Sequence, residues 1–98
     1  MKICAPRKQL LYIVDLLHLQ DDAQLKLITD SCMLVIQYDH SAFSMYVDVV
    51  NAGECTITVG ALVNKLQTII TDSVLIFTTP EGVEIKHVTT SSGDTAWD

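Results

Sequence analysis

The chain has 98 residues, 49% of them apolar and 18% charged, with a formal net charge of -6. That length suits one domain around a single hydrophobic core, and the apolar content excludes a disordered chain. The acidic balance argues against indiscriminate nucleic-acid binding, because most of the surface field repels phosphate, but it leaves room for one locally basic face among the six Lys and Arg residues.

"MKICAP" reads as a short strand ending at Pro6, which cannot continue a ladder but suits the first turn of a helix. In "RKQLLYIVDLLHLQ", Leu10, Ile13, Val14 and Leu17 recur at helical spacing as a buried stripe, with Lys8, Tyr12, Asp15 and Leu19 roughly opposite. The aspartates of "QDDAQ" end that helix. From Gln24 to Val50 the period falls to two and predicts three strands. "QLKLI" sets Leu25 and Leu27 on one face, "CMLVIQY" groups Leu34, Ile36 and Tyr38, and "AFSMYVDVV" groups Phe43, Met45, Val47 and Val49. The separators "TDS" and "DHS" are hairpin-sized, so the strands form an antiparallel meander.

After "NAGE", Cys55, Ile57 and Val59 alternate as a strand. The period switches at Gly60, and Leu62, Val63, Leu66, Ile69 and Ile70 take up helical spacing. "VLIFTT" and "VEIKHVTT" follow, joined by a "PEG" turn, and "SSGDTAWD" adds a last short strand. The order strand, helix, strand, strand, strand thus occurs twice, over about residues 1–50 and 53–98, within one domain covering 1–98. A shift of 52 positions lays Leu10 on Leu62, Leu11 on Val63, Val14 on Leu66 and Leu17 on Ile69.

In "MKICAPRKQLLYIVDLL", in "TITVGALVNKLQTI", where the family has a strand running into T-V-P-A and a helix, and in "VEIKHVTTSSGDTAW", the chain resembles one domain of the DNA sliding clamps. It is most similar to the bacterial β clamps, the processivity subunits of replicative polymerases. The resemblance implies an α+β sliding-clamp fold: two β-α-β-β-β units with pseudo-two-fold symmetry, antiparallel sheets outside and two helices on one face. In a clamp, six such domains form a ring whose helices line the hole around duplex DNA, and a separate ATPase loads the closed ring. Bacterial clamp chains carry three domains and pair as dimers. With one domain, this chain would need six copies, or another clamp-like chain, to close a comparable ring.

The resemblance turns both helices toward DNA. Arg7 and Lys8 open the first helix, and Lys65 lies on the polar side of the second, with Asn64 and Thr68 beside it. Sliding requires attraction to phosphate without base readout, which sparse cations and neutral polar groups supply. Asp15, on the same side as Lys8, counts against this, and the plain alternative is a pair of solvated helix faces. For assembly, the resemblance puts the last strand of each half at a sheet edge. Those strands are "AFSMYVDVV", with Met45, Tyr46, Val47 and Val49, and "DTAWD", with Thr95 and Trp97. Unlike edges pairing head to tail make a ring if the rotation closes. Trp97 suits an interface anchor or a cap on its own core. No motif carries over the family's partner-peptide pocket, and "QLKLI", which loosely resembles the Q-L-x-L-F peptide of clamp partners, reads better as the second strand.

Cys4, Cys32 and Cys55 are an odd number without a C-x-x-C pair, so reduced thiols are expected rather than a disulfide framework or a zinc site. His18, His40 and His87 are scattered, "YDHS" fits a hairpin turn better than a triad, and no phosphate or calcium loop is present. Neither an enzyme nor a cofactor is expected. With no apolar run near the roughly 18 residues of a membrane span and no signal-peptide pattern, a soluble cytoplasmic protein without a membrane partner is expected. The expected function is that of a self-assembling clamp that tethers a partner to DNA, its partners being duplex DNA without sequence preference, its own copies and a DNA polymerase or other clamp-binding protein. The alternative is a small interaction module that regulates a host or paralogous clamp without encircling DNA.

Overall fold

The computed structural model describes residues 1–91 and 94–96, with side chains described through residue 88. Its elements are β1 (Lys2–Pro6), α1 (Arg7–Leu17), β2 (Gln24–Asp30), β3 (Met33–Tyr38), β4 (Ser41–Tyr46), β5 (Asp48–Asn51), β6 (Gly53–Thr58), α2 (Val59–Thr68), β7 (Ser73–Thr79), β8 (Gly82–His87), β9 (Thr89–Ser91) and β10 (Asp94–Ala96). The class is α+β. Two four-stranded antiparallel sheets run in the orders β5-β1-β7-β8 and β4-β3-β2-β6, and β9 and β10 pair as a separate ribbon.

Neither four-stranded sheet belongs to one half of the sequence. β1 pairs with β7 of the second half, and β6 pairs with β2 of the first. The two exchanges share a register: Pro6 faces Ser73 where Thr58 faces Gln24. The first strands are therefore offset by 52 positions and the receiving strands by 49, because the α2–β7 segment is three residues shorter than the α1–β2 segment. The helix starts repeat the relationship. The Arg7 amide donates to the Asp72 carbonyl at 2.8 Å, and the Val59 amide donates to the Ala23 carbonyl at 2.9 Å. In each half, the first helical N–H, which has no partner within its own helix, is satisfied by the loop ahead of the strand that pairs with the helix's own leading strand.

The helices arise as their periodicity predicts. Leu10, Ile13 and Val14 of α1, and Val59, Leu62 and Leu66 of α2, are buried and join Ile3, Leu25, Leu27, Leu34, Ile36, Val74 and Ile76 in one core. α1 stops earlier than "QDDAQ": His18 adopts a left-handed conformation (φ 50°, ψ 43°) and its amide returns to the Asp15 carbonyl. α2 starts at Val59, one residue before Gly60, with the Thr58 hydroxyl accepting from the Ala61 amide at 3.2 Å. It ends at Thr68, so Ile69 is buried beyond the helix while Ile70 points to solvent at 91% exposure.

Three two-residue hairpins join β2 to β3, β3 to β4 and β7 to β8. "YDHS" supplies the second of them, with Asp39 at φ 54°, a conformation Asp tolerates better than most residues. The stretch "AFSMYVDVV" is not one strand. Val47 interrupts it, buries its side chain and donates its amide to the Cys32 carbonyl at 2.9 Å. The chain thereby crosses from the edge of one sheet, as β4, to the edge of the other, as β5. Among the described residues, each half thus carries one strand more than the expected three after its helix. Among the described residues, no helix is long and apolar enough to cross a membrane.

Candidate nucleic-acid interface and sheet edges

α1 and α2 pack side by side. The Gly60 amide donates to the Asp21 carbonyl at 2.9 Å, which sets the start of α2 beside the segment leaving α1. The Arg7–Asp72 hydrogen bond sets the start of α1 beside the segment leaving α2, so the helices run antiparallel. The sequence distributes charge unevenly over this arrangement. The two helices bear Arg7, Lys8, Lys65 and one acid, Asp15, whereas the rest of the chain sets three basic residues against eleven acidic ones.

The individual side chains differ in what they can offer a phosphate. Arg7 is half-buried and its Nε donates to the Thr71 carbonyl at 2.9 Å, so its guanidinium braces the α2–β7 loop. Lys8, Asn64 and Lys65 are exposed, and neither lysine has an ion-pair partner among the described residues. Thr68 is exposed too, but its hydroxyl donates to the Lys65 carbonyl at 2.8 Å. Lys65, in the last turn of α2, also complements the negative end of the helix dipole.

Between the helices runs a groove of about 740 Å³, open to solvent. Lys8 and Gln67 stand at one end, Leu11, Tyr12 and Val63 in the middle, and Asp15, His18 and Asp21 at the other. Sequence spacing groups Lys8, Tyr12 and Asp15 on the polar side of α1 but leaves Asp21 as a turn residue. What it lacked was the packing of the α1–β2 loop against the start of α2, a contact between distant parts of the chain.

"AFSMYVDVV" does lie at sheet edges, as β4 of one sheet and β5 of the other, but its side chains differ in exposure. Met45 and Val47 are buried in the chain's own core and present no side chain to a neighbour. Val49 is half-buried against that core, whereas Tyr46 is 76% exposed on the outer strand β4. β10 pairs with β9 rather than edging a large sheet; Thr95 lies on it, with its side chain outside the described residues, as Trp97 is altogether. Among the described residues the outer strands are β4 and β6 of one sheet, and β5 and β8 of the other.

All three cysteines are free thiols. Burial pushes the Cys4 thiol up, the Asp48 carboxylate adds to the rise, and a hydrogen bond with Ser73 opposes it. Burial also raises Cys55, against the pull of the chain's amino-terminal charge. Cys32 is exposed in the β2–β3 turn. Among the described residues, no three His, Cys, Asp or Glu side chains are grouped to hold a metal ion. No protein-family model matches this chain, and no curated protein matches it.

Proposed function

We propose that this chain is a clamp-like, non-enzymatic DNA-tethering subunit that assembles through its sheet edges, with six copies as the simplest ring, and holds a polymerase or other partner on duplex DNA. The observation that carries the reading is the separation of charge: the paired helices have a surplus of two basic residues on a chain that is otherwise strongly acidic. Lys8 and Lys65, exposed on an otherwise acidic chain, are the points at which the phosphate backbone is attracted, without sequence preference. Outer strands with one free side among the described residues supply backbone groups for recruiting neighbours. The cytoplasm is the compartment that goes with this reading.

The test combines mass and topology. Native mass measured over a range of concentrations gives a closed oligomer, and that oligomer stays on circular DNA and slides off once the circle is cut. A monomer whose DNA retention is the same on both topologies removes the proposal.

A second reading, an interaction module that regulates a clamp without encircling DNA, draws on Tyr12 and Leu16, which are 63% and 46% exposed on α1. Large apolar side chains on that face suit a protein surface better than a phosphate track. Under this reading the chain stays small and co-purifies with a clamp.

A further inference from the structure

The groove between α1 and α2 has a polarity that the DNA reading does not use. Asp15 and Asp21 line one end, and neither has an ion-pair partner among the described residues. Lys8 lines the other end, two turns and about 10 Å along the helix axis from Asp15. Leu11 and Val63, each half-buried, form the apolar middle, with the exposed Tyr12 ring beside them. Two carboxylates against one ammonium make the groove a poor track for phosphate, and its volume lies within the range of ordinary ligand-binding clefts.

We propose that this groove docks a peptide segment carrying a Lys or Arg beside apolar side chains. The cation meets Asp15 and Asp21, and the apolar side chains rest on Leu11, Val63 and the Tyr12 ring. Charge complementarity selects this occupant: an acidic segment meets two unpaired carboxylates, and a fully apolar one leaves them uncompensated. The site stands independently of the DNA reading, because it uses the acidic end of the helix pair rather than Lys65. A bound peptide covers Lys8 and therefore competes with DNA for that residue.

The experiment is fluorescence anisotropy at physiological salt with a labelled amphipathic peptide of Leu and Lys and its Leu and Glu counterpart. The lysine peptide binds and the glutamate peptide does not. In the variant Asp15→Asn with Asp21→Asn, affinity falls about tenfold. In the variant Glu81→Gln with Glu84→Gln, which removes the same charge from the β7–β8 hairpin, affinity changes by less than about twofold. Amide NMR shifts on titration concentrate at Leu11, Tyr12 and Val63. Equal weakening by the two charge-removing pairs would show attraction by the whole molecule and overturn the site. So would equal binding of the glutamate peptide, or self-association of the protein that is lost in Val63→Glu.

Discussion

Gly60 and Asp21 meet backbone to backbone: the Gly60 amide donates to the Asp21 carbonyl at 2.9 Å, and a Cβ on Gly60 would lie 2.9 Å from the Asp21 Cβ and 3.1 Å from its carbonyl oxygen. Replacing a helical glycine by alanine ordinarily stabilises by about 0.5–1 kcal/mol. Here the new methyl displaces the loop that seats α2, and Gly60→Ala is expected to destabilise by about 1–2 kcal/mol instead. A urea unfolding curve reads the sign, and a gain in stability would show that the loop yields freely.

Arg7 and Lys65 separate bracing from charge. Arg7→Lys keeps the cation but gives up the guanidinium geometry toward the Thr71 carbonyl, and should cost about 1 kcal/mol of stability. Lys65→Gln should leave stability within about 0.5 kcal/mol and, under the proposed DNA tether, lower the salt dependence of retention by about one in log–log slope. Retention that responds to Arg7→Lys and ignores Lys65→Gln would move the DNA contact off α2.

Ile69 and Ile70 are neighbours in sequence and opposites in environment, at 8% and 91% exposure. Ile69→Ala is expected to cost about 2–4 kcal/mol, while Ile70→Ala changes stability by less than about 0.5 kcal/mol. Thermal or urea denaturation of the pair checks the end of α2, since a helix continuing through Ile70 would alter the burial of both residues.

Alkaline pH should weaken the fold. Above the ordinary thiol value of 9.0, the unfolded chain releases a proton that the folded state keeps on Cys4, whose thiol is raised by burial and by Asp48. The native state then binds more protons than the unfolded one, so stability is intact at lower pH and falls as pH rises through that range. Cys4→Ala should make the decline in urea midpoint as pH rises above 9.0 shallower. It should not abolish it, because Cys55 is raised in the same direction. An unchanged slope would assign the alkaline loss to other groups.

The periodicity made the helices and most strands legible, because Leu10, Ile13, Val14, Leu62 and Leu66 repeat at the spacing that buries one helical face. Alternation likewise placed Leu25, Leu27, Leu34 and Ile36 inside. It could not reveal which strand pairs with which across the halves, since β1 and β7 are distant in sequence and alternation is blind to partners. It also ran β4 and β5 together, because Met45, Val47 and Val49 keep a period of two through the crossing at Val47. Ile70 joined the apolar pattern by residue type alone, although α2 had already ended. The residues Arg7, Lys8, Asn64, Lys65 and Thr68 were legible as helix positions, but the hydrogen bonds that occupy Arg7 and Thr68 depend on neighbours that spacing does not specify.

The reciprocal placement of β1 and β6 makes each half a template that the other completes. Severing the backbone at Ala52 would give one fragment missing the β7 edge beside its opening strand and a second missing the β2 edge beside its own. Mixed together, the fragments have every reason to reassociate, and a shortened linker would favour the same exchange between two separate chains.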